Sequence, residues 1–183
     1  MLNIKFGTDG WRGIIAQDYT FENLKIVSQA VADYLGKGKK IALGYDTRFL
    51  SKEFAQASAE VFAANGISVV LSDRAIPTPA VSLAVRAGKL DLGVMITASH
   101  NPAAYNGFKI KTTSGGAAGP EVTRKVESYL GKSPVKCSAQ ARDKIITGDL
   151  SKEYVQFIRS YIDFKIIKNK NFKVLVDSMF GSG

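Results

Sequence analysis

Phe21, Leu24, Val27, Val31 and Tyr34 recur at three- and four-residue intervals, the spacing that puts side chains on one face of an α-helix. Thr20 offers an N-cap oxygen ahead of them and Gly36 a stop behind. Ile41 to Tyr45 is a short apolar run ending at Asp46, which predicts a buried strand. A second helix is expected from Ser51, with Phe54, Ala57, Val61 and Phe62 on one face and a stop at Asn65-Gly66. Ser68 to Leu71 predicts a strand, Pro77 to Ala87 a third helix and Leu92 to Thr97 another strand.

Strands alternating with helices over short links predict an α/β fold: a mainly parallel mixed sheet sandwiched by helices, with one antiparallel strand. The antiparallel strand is expected after Asn106-Gly107, a turn signal. There Phe108-Lys109-Ile110-Lys111 alternates apolar and basic residues, as a half-buried strand does. Ser114 to Gly119 is a small-residue loop, and Pro120 to Leu130 starts like a helix with Pro in its first turn. Gly131 to Asp143 has weak periodicity and predicts a connector. Tyr154, Phe157, Ile158, Tyr161 and Ile162 make one more amphipathic helix, and Lys173 to Asp177 a fresh strand before Gly181-Ser182-Gly183.

The chain has 183 residues, more than one ordinary domain of about 100–150 needs. Hydrophobic residues at 45% and charged residues at 22% are globular proportions, which excludes disorder or fibrous structure for the whole. The single cysteine, Cys137, rules out an internal disulfide and fits a reducing compartment. With His100 the only histidine, a Cys/His zinc site within the chain is also excluded. Met1 to Trp11 lacks the apolar core of a signal peptide, and no apolar run approaches membrane-spanning length. The expectation is a soluble cytoplasmic protein with no membrane partner. The net charge of +9 suits nucleic acid, an anionic membrane surface or a phosphorylated small molecule. Without aromatic–basic interleaving or a known reader motif, no nucleic-acid partner is expected.

Two glycine motifs fall short. Gly131-Lys132-Ser133 resembles the end of a P-loop, but Val126 stands where the earlier glycine is required. The third glycine that Gly181-x-Gly183 would need for a dinucleotide fingerprint would lie beyond residue 183, and two glycines after a strand more often make a turn. Thr97-Ala98-Ser99-His100-Asn101-Pro102 has more to offer, because it ends a predicted buried strand, where open α/β sheets bind ligands. Ser99 is either an exposed nucleophile held out by the Asn-Pro turn or, with Asn101, a residue that satisfies turn backbone. Gly-x-Ser-x-Gly is absent, which argues against a hydrolase elbow.

Lys109 either folds back toward Ser99 or shares a solvated strand face with Lys111. In Gly7-Thr8-Asp9-Gly10-Trp11-Arg12-Gly13 the small residues permit close backbone approach, and Arg12 can fork onto a phosphate. The alternative is a tight loop held by an Arg–Asp pair. Tyr45-Asp46-Thr47-Arg48 either lines the same edge or ties it together. One hydroxyl nucleophile and an excess of cationic donors are the equipment of phosphoryl transfer, which depends on positioning and charge neutralisation.

Phe6-Gly-Thr-Asp-Gly-Trp-Arg-Gly13, Asp46-Thr-Arg48, Thr97-Ala-Ser-His-Asn-Pro102 and Asn106-Gly-Phe-Lys109, in this order and spacing, resemble the α-D-phosphohexomutases, the phosphoglucomutase and phosphomannomutase family. The resemblance covers essentially the whole chain. It implies that residues 1–148 are the family's phosphoserine-bearing first domain, 149–172 a connecting helix and linker, and 173–183 the first strand of a second domain.

The resemblance further implies that Ser99 is the phosphoserine. It would pass its phosphate to C1 or C6 of a hexose monophosphate, and retrieve the other phosphate after the bisphosphate turns around. His100 and Lys109 would assist proton transfer and Arg12 would contact phosphate; a lysine crowded by Arg12 is expected to deprotonate more readily. Mg²⁺ would bind an oxygen of the Ser99 phosphate, its other ligands lying outside this chain. The implied partners are hexose phosphate, hexose bisphosphate and the remaining domains of the same protein, so the chain alone is expected to show no mutase turnover. Trp11 and Thr97 resemble the glucose and mannose branches more than the glucosamine branch. The alternative is a stand-alone phosphosugar-binding or partner module without turnover.

Overall fold

The computed structural model describes residues 4–7 and 9–182, so Thr8 and Gly183 of the sequence motifs lie outside the described residues. The elements run β1 (Trp11–Ile14), α1 (Phe21–Leu35), β2 (Lys40–Tyr45), α2 (Ser51–Ala64), β3 (Ser68–Ser72), α3 (Thr78–Ala87), β4 (Leu92–Ile96) and β5 (Tyr105–Lys111). Then come α4 (Pro120–Glu127), a 3-10 helix (Ala139–Lys144), β6 (Ile145–Gly148), α5 (Ser151–Tyr161) and α6 (Phe164–Lys168). The caps of α1 are those its sequence predicts. Thr20 accepts from the Asn23 N–H at 3.2 Å, and Gly36 closes the far end.

Among the described residues one sheet forms, in the order β1-β5-β4-β2-β3-β6. β2 pairs in parallel with β3 and β4, and β6 in parallel with β3. β5 runs antiparallel to both β4 and β1 and is the one reversed strand. Helices α1, α2 and α4 cover one face, where Leu24, Val27, Phe54 and Phe62 bury against Ile41, Leu43, Ile96 and Phe108. Helix α3 covers the other, setting Val81 and Val85 against Ala42 and Met95, with α5 beside it. Full burial of each large side chain contributes about 1.5–3 kcal/mol, so the two-faced core is what sets the sheet's register.

Four expectations are corrected. Asn106-Gly107 is not a turn but lies within β5, opposite Gly13 and Arg12. A strand, β1, crosses the glycine motif at Trp11–Ile14, because β5 extends far enough to pair with it. Residues 131–143 are not wholly connector: they lead into the 3-10 helix, and β6 follows at the sheet edge. Residues 173–177 form no strand; Val174, Leu175 and Val176 are exposed and no neighbouring strand completes their ladder. No helix among the described residues is long and apolar enough to cross a membrane.

Candidate active site

The chain leaves β2 for β3 on one side and returns to β4 on the other, with α2 and α3 on opposite faces. Loops at the carboxyl ends of β2 and β4 therefore diverge and leave a crevice at a topological switch point. Asp46 follows β2, and Thr97 to Ser99 follow β4. Asp46, Thr97 and Ser99 line a cavity of about 690 Å³ together with Arg48, Thr78 and Asn101.

Ser99 is exposed and sits at φ 53°, a left-handed conformation that costs a non-glycine residue roughly 1–3 kcal/mol. Hydrogen bonds hold it there. Its N–H donates to Thr97 Oγ1 at 2.9 Å, and the Thr97 hydroxyl donates to Asp46 Oδ2 at 2.5 Å. Asn101 N–H closes the turn on Ala98 O at 3.1 Å. A hydroxyl held out on such a turn is placed to react.

Lys109 arrives from β5, where it is only 4% exposed, and its Nζ donates to Ser99 Oγ at 2.8 Å. The same Nζ lies 2.5 Å from Asp9 Oδ2, while Lys111 Nζ lies 3.4 Å from Asp9 Oδ1. The turn that carries Asp9 needs Gly10. Its φ is 100°, and a Cβ there would run into Phe108 O and the Lys109 chain. Burial opposes ionisation of Asp9, but the Lys109 hydrogen bond and the Lys111 charge together hold its carboxyl below the ordinary value. The solvated-face reading of Lys109 and Lys111 is thus excluded: the Asp9 turn covers both.

Arg12 Nη1 donates to Asn101 Oδ1 at 2.7 Å, which sets the guanidinium beside the serine turn. No ion pair joins Arg12 to Asp9 among the described residues, so the alternative of a tight loop held by an Arg–Asp pair is not what forms. The charge beside Lys109 is a carboxylate. His100 is exposed next to Ser99. Arg48 ties the edge together, donating to the carbonyls of Ser99, Asn101, Pro102 and Tyr105. Trp11 is 2% exposed and stacks on Tyr19 at 4.6 Å, so it supports the core under the site rather than facing a ligand.

Sequence reasoning missed the half-buried Asp9 with buried Lys111 as a charge cluster around Lys109, and Asp46 as the carboxylate behind Thr97. Basic residues at alternate positions opposite a Gly-Asp-Gly turn were the available signal. Magnesium does not fit the described residues as a complete site. No three carboxylate, imidazole or thiol groups among them converge, Asp9 is paired with two lysines, and Asp46 is taken by Thr97, Ser51 and Arg48.

Residues 3–134 match the family model described as phosphoglucomutase/phosphomannomutase, alpha/beta/alpha domain I. A phosphoglucosamine mutase from Dictyoglomus turgidum is 37% identical over 183 residues, spanning 97% of this chain and 40% of its own length. A phosphoglucomutase from Staphylococcus saprophyticus is 31% identical, spanning 98% of this chain and 35% of its own. The crystal structure of a putative phosphomannomutase from Thermus thermophilus superposes with a TM-score of 0.83 at 34% identity, over 92% of this chain and 38% of that one. The chain thus spans about two fifths of the length of the curated relatives it matches.

Proposed function

We propose that this chain, which belongs to the phosphoglucomutase/phosphomannomutase family through that family's domain I, carries the phosphoryl-transferring serine of a mutase acting on hexose monophosphates. The observation that carries the reading is the 2.8 Å contact of Lys109 Nζ with an exposed, left-handed Ser99 at the carboxyl end of β4.

In this reading Ser99 is phosphorylated before each turnover. The bond between its Oγ and phosphorus breaks while phosphorus bonds to the C1 or C6 hydroxyl oxygen of the sugar. The sugar hydroxyl gives up its proton to the exposed His100 imidazole, and Lys109 donates a proton to the departing Ser99 oxygen. Arg12, braced by Asn101, has further N–H donors for phosphate oxygens. The bisphosphate then turns around and the steps reverse at its other end, so a hexose 1-phosphate and a hexose 6-phosphate interconvert. The Mg²⁺ that the resemblance implies would meet this chain at a phosphate oxygen on Ser99 and neutralise phosphoryl charge there, with its remaining ligands outside these residues.

The sugar is glucose or mannose phosphate in the finer form of this reading. Trp11 and Thr97 are both buried, however, and Trp11 stacks on Tyr19 in the core rather than facing the cavity. Competition among glucose, mannose and glucosamine 1-phosphates for the native protein decides this point, and preference for glucosamine overturns the finer form. The domain boundaries at 148 and 172 and the remaining domains as partners belong to the same reading. Incubation with labelled hexose bisphosphate tests its core: label on Ser99 supports it, and label on any other residue removes it.

A further inference from the structure

Arg48 uses its guanidinium on backbone. Nη1 donates to Pro102 O and Tyr105 O, both at 2.9 Å, and Nη2 donates to Ser99 O at 2.8 Å and Asn101 O at 2.5 Å. Nε lies 3.5 Å from Asp46 Oδ2, and the side chain is only 14% exposed. All four terminal N–H bonds thus meet the turn that follows Ser99. The carbonyls of Ser99, Asn101 and Pro102 lie outside the regular strands, where partners must come from elsewhere, and that of Tyr105 opens β5. A flat five-donor fork serves four of them at once, whereas an ammonium has three donors about a single point.

The consequence falls on Ser99. Its left-handed φ does not persist unless the surroundings over-determine it. Thr97 Oγ1 holds its N–H and Arg48 holds its C=O, so both peptide groups flanking the nucleophile are pinned. The two pins share one anchor. Asp46 accepts from Thr97 through Oδ2 and from the Arg48 backbone N–H at 3.0 Å through Oδ1, with Ser51 Oγ at 2.8 Å on the same oxygen. Loop, helix α2 and the end of β4 are joined at that carboxylate.

We propose that Arg48 is a positioning residue, which fixes the Ser99 turn so that Oγ stays against Lys109 Nζ without itself touching substrate. Its effect on rate rests on the function proposed above; its effect on the turn does not.

Arg48→Lys and Arg48→Ala in the native-length protein test this. Amide exchange across residues 99–105 should quicken in both variants while the melting temperature stays close to that of the unmodified protein. Phosphoryl transfer from Ser99 should fall by about a hundredfold, the size of loss that a 1 Å misplacement causes, with KM for the sugar phosphate little changed. Added guanidinium ion should restore part of the rate to Arg48→Ala. An Arg48→Lys protein with unaltered exchange and rate would overturn the proposal. So would a large rise in KM with exchange unaltered, since Arg48 would then be binding substrate. If Ser99 of the unmodified protein takes no phosphate, the mutase reading fails and the exchange comparison still decides the role of Arg48.

Discussion

Lys109 Nζ lies 2.8 Å from Ser99 Oγ, ten residues away in sequence, because β5 runs back antiparallel against β4. The pairing sets Met95 opposite Lys109, so the lysine returns to the strand end from which Ser99 projects. One reversed strand in an otherwise parallel sheet thereby sets a buried lysine against an exposed serine hydroxyl.

Lys109→Met removes that donor while keeping most of the apolar length. Transfer of phosphate from Ser99 to the sugar should slow by about 10²–10⁴-fold, the usual worth of a general acid or base. A single-turnover measurement separates this step from substrate binding, and an unchanged rate would take Lys109 out of the chemistry.

Asp9 has a distinct acid signature. Its folded carboxyl titrates below the ordinary value of about 3.9, held there by Lys109 and Lys111 against the pull of burial. Such a group stabilises the fold above its unfolded value, and that stability is lost as pH falls through the folded value. Asp9→Asn should therefore melt lower than the parent near neutral pH. The gap should narrow below the unfolded value, which melting curves taken from neutral to strongly acidic pH would reveal.

Gly107, in β5, sits where β1 and the Thr97 loop also meet. A Cβ there would lie 2.6 Å from Thr97 O, 2.9 Å from Trp11 O and 3.0 Å from Arg12 Cγ. Backbone cannot yield as a side-chain tip can, so Gly107→Ala should cost about 1–3 kcal/mol or more. Denaturant unfolding checks this. A neutral result would mean that β1, β5 and the Thr97 loop are less tightly apposed.

Thr97→Val keeps the shape of the side chain and removes the hydroxyl between Asp46 and Ser99. The Ser99 N–H and Asp46 Oδ2 then each lose a partner, at a cost of about 1–3 kcal/mol for an unmet buried polar group. The melting temperature should drop, and phosphate transfer from Ser99 should slow with it. Full activity in this variant would show that the turn is held without Thr97.

Much of the fold was legible because period and punctuation agree. The helix on Phe21, Leu24 and Val27 has its cap at Thr20, and the buried runs around Leu43 and Val94 end at polar residues. The failures came where tertiary pairing overrides local signals. Asn106-Gly107 has the composition of a turn, yet Asn106 is buried and donates to Ser51 Oγ at 2.9 Å, and Gly107 is there for want of room. β1 hides among glycines because its reason to be a strand is β5, about a hundred residues on. Lys111 reads as solvated by alternation, and only the Asp9 turn lying over it explains its burial. The serine motif was legible as a place, while the network that holds it, Asp46, Thr97 and Arg48, depends on two strand ends meeting.

The most direct test is the mass of the protein isolated from its own cells, with fragmentation across Thr97 to Pro102. The account predicts a phosphate on Ser99 in a substantial fraction of molecules. Ser99 unmodified throughout, in protein that nonetheless interconverts hexose phosphates, would contradict it.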